Sequence, residues 1–312
     1  MKTELSIVIP LFNEQDSLPP LYAQLTAALG ALGRTYELLF IDDGSTDNSF
    51  AVLQELHQKD PTHVRVLQFR GNFGKSAALA AGFKETRGEI VFTMDADLQD
   101  DPAEIPAFLQ KLDEGYDLVS GWKKVRHDPL GKTLPSKVFN WFTRVFTGVN
   151  LHDFNCGFKC YRREVIDSIQ VYGEMHRYLP ALAAEMRFRV GELPVRHHPR
   201  THGKSKYGLE RFTRGAADLI TILFLTRYLR RPAHLFGAAG FGFSGFGFLI
   251  LLYMTGLWFA GVRPIGNRPL LTLGVLLTIV GIQFISIGLL GEMMVRSTAG
   301  QRPDYSIKNR LQ

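Results

Sequence analysis

Glu89-Ile90-Val91-Phe92-Thr93-Met94-Asp95-Ala96-Asp97-Leu98-Gln99 is an apolar run that stops on two carboxylates spaced two apart, followed by a side-chain amide. The apolar part reads as a short buried strand, and the polar punctuation after it reads as a loop. Carboxylates at Asp95 and Asp97 can converge on one divalent ion, with Gln99 adding a third hard oxygen. That donor chemistry suits Mg2+ or Mn2+ bridging to a diphosphate. Asp100 and Asp101 continue the run, so the competing reading of the segment alone is a solvated acidic turn.

Working outward, the same pattern repeats on the amino-terminal side. Leu5–Pro10 is a continuous apolar run, followed by an amphipathic stretch over Ser17–Leu32. Glu37–Ile41 runs into Asp42-Asp43-Gly44-Ser45-Thr46-Asp47, Val64–Phe69 follows, and Ala77–Lys84 is rich in helix-forming alanine. Short apolar strands alternating with helices imply βαβ units and a mainly parallel, helix-covered sheet. Ligands of such sheets bind beyond the carboxyl ends of the strands, where these Asp-, Asn- and Gly-rich loops gather. On the carboxyl side, Asp117–Ser120 and Arg189–Val195 read as further strands, Lys123–Lys137 as a basic loop and Ser136–Phe146 as helical.

The last third is different. Pro232–Val262 and Pro269–Gly291 contain no charged side chain. The shorter one would extend roughly 35 Å as a helix, against roughly 30 Å of hydrocarbon, so both are expected to span a membrane. Leu209, Phe212, Ala216, Leu219, Ile220 and Leu223 recur at helical spacing and read as an amphipathic helix lying on the membrane surface. Arginines before the first span and Lys/Arg after the second outnumber the two in the connecting loop. That bias agrees with both termini, and the soluble amino-terminal domain, lying on the cytoplasmic side. The start of the chain is too short and too quickly turned to be a signal peptide. Gly274, Gly281 and Gly288 line one face of the second span and suit close helix packing, within the chain or in a homo-oligomer.

The net charge is +6, with a basic cluster between Arg187 and Arg214 that suits lipid headgroups or a diphosphate. No aromatic-interleaved motif accompanies it, so nucleic acid is not an expected partner. Gly74-Lys75-Ser76 imitates a P-loop, but Phe69 stands where that motif needs glycine. His197, His198 and His202 are broken up by Pro199, which argues against a helical zinc site. Cys156 and Cys160 offer neither a disulfide framework nor a zinc quartet.

Five motifs occur in order: Ser6–Glu14, Asp42–Asp47, Gly71–Lys75, Asp95–Gln99 and Arg200–Lys206. In these the chain resembles the family 2 glycosyltransferases, within them the polyprenyl-phosphate branch related to dolichyl-phosphate mannose synthase. The carboxy-terminal spans are similar to those of the bacterial enzymes acting on undecaprenyl phosphate. The resemblance implies a GT-A type, Rossmann-like α/β domain over residues 1–208 and an amphipathic interface helix over 209–231. A two-helix transmembrane anchor over 232–294 and a cytoplasmic tail over 295–312 complete it. It implies an inverting, metal-dependent transfer of a hexose from a UDP- or GDP-sugar to polyprenyl phosphate at the cytoplasmic membrane. Asp95, Asp97 and Gln99 would hold Mg2+ or Mn2+. Pro10, Phe12, Glu14, Asp42, Asp43, Lys75, Asp95, Ala96, Arg200 and Lys206 would surround the nucleotide-sugar. Lys123, Lys132 and Ser136 would receive the acceptor phosphate, and Asp153, before Asn155–Lys159, is the candidate acid/base together with Asp97. Two other readings compete. A processive polysaccharide synthase would normally carry a Gln-x-x-Arg-Trp motif, which is missing. An inactive nucleotide-binding scaffold would not need the intact Asp95/Asp97/Gln99 set.

Overall fold

In the computed structural model, the residues described are 3–124, 140, 141, 143–145, 147–169, 171, 175–199, 232–262 and 264–298. The expected roles of Lys132, Ser136, Arg200 and Lys206, the helix over 209–231 and most of the tail lie outside them. The chain divides into two compact units, Met1–Ile222 and Leu223–Gln312.

The first unit is an α/β domain. Its strands are β1 (Leu5–Leu11), β2 (Tyr36–Asp42), β3 (Val64–Gln68), β4 (Ile90–Thr93), β5 (Leu118–Trp122), β6 (Lys159–Arg162) and β7 (Val190–Pro194). They form one sheet in the order β3-β2-β1-β4-β6-β5-β7. β3, β2, β1 and β4 are parallel, in register as Leu5↔Tyr36 and Leu5↔Ile90. β1 is buried at all seven positions, the signature of a strand covered on both faces. The alternating side chains of β1 show why: Leu5, Ile7 and Ile9 pack in one core, while Val8 joins Leu39 and Val91 in the other.

β6 departs from the parallel reading. It runs antiparallel to both β4 and β5, with Phe92↔Cys160 and Val119↔Cys160. Its antiparallel course places the turn leading into it, Asn155–Phe158, beside the end of β4 and hence beside Asp95.

Among the described residues, helices α1 (Leu18–Gly30), α2 (Ser49–Lys59), α3 (Lys75–Glu85), α4 (Ile105–Asp113), α5 (Arg163–Ser168) and α6 (Leu179–Glu185) cover the sheet or join its strands. α1 buries Leu18, Leu21, Leu25 and Leu29, the spacing of an amphipathic stripe.

The loops after β1 and β2 are tied together. Asn13 Oδ1 accepts from the Thr46 N–H (2.7 Å), and Glu14 N–H donates to Ser49 Oγ (2.9 Å). Gly44 holds a φ of +72° with its Cα against Gly71, so an added Cβ would lie 2.4 Å from the Gly71 carbonyl carbon. Left-handed backbone and a backbone-to-backbone clash act together there. Gly44→Ala is therefore expected to lose about 3 kcal/mol of stability or more, read as a lowered thermal midpoint. An unchanged midpoint would contradict this account of the turn.

Among its described residues, the second unit contains α7 (Pro232–Phe259) and α8 (Pro269–Thr298). Both are long and apolar enough to cross a membrane, over Ala233–Phe259 and Pro269–Met294. Their contact uses the glycine stripe. A Cβ on Gly240 or Gly247 would lie 2.6 or 2.7 Å from the carbonyl oxygen of Gly281 or Gly274. The small residues of α8 thus seat α7 of the same chain.

Candidate active site

The strand ends of β1, β2 and β4 and the start of α3 bring most of the expected residues together. Asp42 is fully buried; its Oδ1 accepts from Ser45 N–H (2.9 Å) and its Oδ2 from Gln68 Nε2 (3.3 Å). Asp43 accepts from the backbone of the 71–74 loop, with Oδ1 on Phe73 N–H (2.7 Å) and Oδ2 on Gly74 N–H (2.9 Å). Both carboxylates therefore shape the loops that form this end of the sheet. Pro10 is buried at the end of β1, while Phe12 and Glu14 are half-buried just beyond it. Glu14 Oε2 accepts from Ser17 Oγ–H (3.2 Å).

Asp95 follows β4 and is ion-paired with Lys75, the first residue of α3. Burial works against ionisation of Asp95. Lys75 at contact distance, with Lys123 and Lys159 further off, nevertheless holds its carboxyl down at about 2. Ala96 is buried, Asp97 and Gln99 are half-buried, and Leu98 between them adopts a left-handed φ of 60°. A leucine there stores on the order of 1–2 kcal/mol of backbone strain, and its side chain packs against the main core. Gln99 N–H donates to Asp97 Oδ1 (3.3 Å), and its amide Nε2 reaches the His198 carbonyl (3.5 Å).

Among the described residues, no three His, Cys, Asp or Glu side chains converge as a metal site. The donor set is two carboxylates and one amide, which fits an ion that takes its remaining ligands from water and substrate phosphate, as Mg2+ does. The Lys75 ammonium on Asp95 shows that this position accommodates positive charge.

Two residues read from sequence prove to be engaged in the interior. Lys123 pairs with Asp100 at 3.0 Å, and Asp100 is only 1% exposed. Burial opposes the lysine's charge, but the paired Asp100 carboxylate, with Asp95 further off, holds it well above the usual range. Asp100 is thus a buried ion-pair partner under the Asp95–Gln99 turn, not part of a solvated acidic turn. Asp153 is likewise 1% exposed, with Oδ1 accepting from Asn155 N–H (3.0 Å). Its neighbour His152 stacks on Trp122, with ring centroids 4.2 Å apart, and pairs with Glu192.

A small cavity beside Asp95 joins Lys75 and the Asn155–Lys159 turn, both read from the sequence, to His176 and Arg177, which the sequence did not single out. Lys159 is buried, and its ammonium donates to the Cys156 carbonyl. Burial, reinforced by Lys75, lowers its pKa. Burial also pushes the Cys156 thiol up to about 12, so that cysteine is an inert packing group.

His176 N–H donates to Ser76 Oγ (3.2 Å), and Ser76 Oγ lies 2.9 Å from the ring Nδ1. Ser76 Oγ thus accepts from the backbone N–H and shares a second hydrogen bond with the imidazole of the same residue. Burial first, then the charges of Lys75 and Arg177, hold this imidazole neutral, with a pKa lowered to about 2. The unfolded chain binds a proton near 6.5 that the folded chain refuses. This histidine therefore costs no stability above about pH 6.5 and destabilises progressively as pH falls below it, at up to about 1.4 kcal/mol per pH unit. His176→Gln is expected to flatten the fall of the thermal midpoint between about pH 6.5 and 4.5. An equally steep fall in the variant would contradict the neutral assignment.

Comparison with known proteins completes the picture. The family model described as Glycosyl transferase family 2 matches residues 6–170. A dodecaprenyl-phosphate galacturonate synthase of Rhizobium johnstonii is 40% identical over 298 residues, covering 94% of this chain and 88% of that protein. Among solved structures, a glucosyl-3-phosphoglycerate synthase of Mycobacterium tuberculosis, in complex with Mn2+ and UDP-glucose, matches with a TM-score of 0.54 at 20% identity. The match covers 72% of this chain and 79% of that one. A mannosyltransferase of Pyrobaculum calidifontis, in complex with GDP-mannose and Mn2+, matches with a TM-score of 0.51 at 16% identity, covering 97% and 78%. At these identities the solved structures speak for the GT-A-like fold.

Proposed function

Because the chain belongs to glycosyl transferase family 2, we propose that it moves a sugar from a nucleotide-sugar to the phosphate of a polyprenyl lipid. The observation that carries this reading is the 40% identity to a polyprenyl-phosphate sugar synthase over 94% of the chain, membrane helices included. The cationic surroundings of Asp95 support it, since both substrates are anions.

In this reading residues 1–208 are the catalytic domain, 209–231 an interface helix, 232–294 the anchor and 295–312 a tail. The catalytic domain faces the cytoplasm. Asp95, Asp97 and Gln99 would hold Mg2+ or Mn2+, which would supply positive charge to a leaving diphosphate. Lys75 lies at the Asp95 carboxylate and offers a second positive charge for the same diphosphate. The loops after β1 and β2 form the nucleotide wall, with Pro10, Phe12, Glu14 and Ala96 along it and Asp42 and Asp43 fixing its shape. Arg200 and Lys206 approach the donor phosphates, and Lys132 and Ser136 the acceptor phosphate. Lys123 acts from beneath, through its pair with Asp100.

A phosphate monoester has a second pKa near ~6, so the acceptor is already largely a dianion at neutral pH. Alignment and charge neutralisation matter more than a strong base. Asp153, buried and hydrogen-bonded to the Asn155 backbone, orients the segment around the acceptor in this mechanism rather than collecting its proton. Direct displacement by the phosphate inverts the anomeric carbon. The test offers purified chain a panel of UDP-, GDP- and dTDP-sugars with polyprenyl phosphate, and reads the anomeric configuration of the lipid product. A β-linked product from an α-linked donor is expected. An α-linked product would overturn single displacement, and no product from any donor would overturn the functional reading.

A further inference from the structure

The glycine stripe of α8 is taken up by α7 of the same chain, and the opposite side of α8 carries a polar group. Gln283 follows Gly281 by two positions, roughly 200° around the helix from it, and it is exposed. It also lies about 2 Å from the midpoint of the Pro269–Met294 span, against a hydrocarbon half-thickness of roughly 15 Å. A glutamine side chain is too short to reach either headgroup region from there.

The hydroxyls of the two helices show how other polar groups in these spans are satisfied. Thr278 Oγ1 donates to the Gly274 carbonyl (2.8 Å), Ser286 Oγ to the Ile282 carbonyl (3.0 Å) and Thr255 Oγ1 to the Leu251 carbonyl (2.8 Å). Each bonds within its own helix. Gln283 does not: among the described residues its carboxamide has no hydrogen-bond partner. An amide left unpaired in hydrocarbon is strongly disfavoured, so the outward face of α8 calls for a polar partner at mid-depth.

We propose that this face docks α8 of a second copy of the chain, with the two Gln283 carboxamides hydrogen-bonded to each other across a twofold axis. Three observations select a second copy. A carboxamide is self-complementary, because its carbonyl accepts and its NH2 donates, so two of them close a reciprocal pair. Two chains inserted with the same topology present parallel α8 helices, and Gln283 then meets its own equivalent at the same depth. A different protein would need a polar group placed there independently, and a lipid chain offers none. Finally, Gln283 sits in a matching seam. Leu276, Ile279, Gln283, Ser286 and Leu290 recur at alternating spacings of three and four, and the three aliphatic ones are 56%, 50% and 57% exposed. That is the repeat of a left-handed helix pair, in which a single polar seam residue fixes register and partner number. The inference rests on α7 and α8 crossing a membrane and not on the reaction, so its test reads association alone.

Full-length Leu276→Cys and Leu290→Cys proteins carry a thiol on the seam, and Ile282→Cys carries one that is exposed but about a quarter turn away. Each is placed in liposomes and oxidised with copper phenanthroline. Cys156 and Cys160 are both buried, which confines cross-linking to the added thiol. Disulfide-linked dimer is expected at positions 276 and 290, with little at 282. Equal linking at all three positions, or none at any, would overturn the proposal.

Energy transfer between two labelled populations, followed as added lipid dilutes the protein, gives a second reading. Gln283→Leu is expected to weaken self-association roughly tenfold, the factor that about 1.4 kcal/mol carries. Gln283→Asn, which keeps the carboxamide, should hold association close to that of the parent. Unchanged association in Gln283→Leu would overturn the proposal. Release of the protein from the liposomes by alkaline carbonate would overturn the membrane reading, and the proposal with it.

Discussion

Asp97→Asn is expected to lower the rate of sugar transfer about 1000-fold while leaving the thermal midpoint within a degree or two of the parent. The asymmetry follows from the near-identical shape of the two side chains. Asp97 is half-buried, and its Oδ1 accepts a long 3.3 Å bond from the Gln99 N–H, which an asparagine oxygen can accept equally well. What the substitution removes is one negative charge of the two that would hold a divalent ion. A neutral amide binds such an ion far more weakly than a carboxylate. Asp95→Asn makes an instructive contrast. There the lost charge also leaves Lys75 without its contact partner, so both rate and stability should fall. Steady-state transfer and thermal unfolding, measured on both variants with Mg2+ and Mn2+ titrated, separate the two effects. Near-parental rates for Asp97→Asn at saturating metal would remove Asp97 from the site.

Gly157→Ala should cost about 100-fold in turnover although it adds a single methyl group. An added Cβ would lie 2.5 Å from Asp95 Oδ2, a separation no real contact tolerates. The glycine itself cannot retreat easily. Its carbonyl accepts from Thr93 Oγ1 (2.8 Å), and the Lys159 ammonium is anchored on the neighbouring Cys156 carbonyl. The carboxylate must yield, and with it the ion pair to Lys75. A displacement of about 1 Å in a catalytic constellation is enough for a loss of this size, while the stability cost should stay within about 1–3 kcal/mol. Single-turnover transfer at saturating donor gives the rate. A parental rate would mean that the position of Asp95 is not critical.

The parallel half of the sheet was legible because its strands are covered on both sides. β1, β2 and β4 appear in the sequence as uninterrupted apolar runs, each ending on acidic or polar loop residues. The order of those loops also carried the family resemblance. β6 was not legible: Lys159-Cys160-Tyr161-Arg162 has charges at both ends, and its strand character comes from being flanked by β4 and β5. Asp100 looked like a surface acid because composition cannot show that Lys123 comes back to cover it. His176 and Arg177 carried no signal at all. The contact that gives His176 its place is to Ser76, one hundred residues away, and no local pattern encodes such a meeting. The two long apolar helices were plain from their lack of charge, whereas the seating of the α8 glycines against α7 needed the packed pair.

The measurement closest to the central claim follows a labelled sugar from its nucleotide donor to purified full-length protein in nanodiscs. Matched discs contain either polyprenyl phosphate or the corresponding polyprenol, each with and without a chelator. Label in the organic phase from the phosphate discs alone, abolished by the chelator and restored by Mg2+ or Mn2+, is the predicted result. Equal labelling of the polyprenol, or label that remains entirely in water-soluble product, would contradict a transferase whose acceptor is the lipid phosphate.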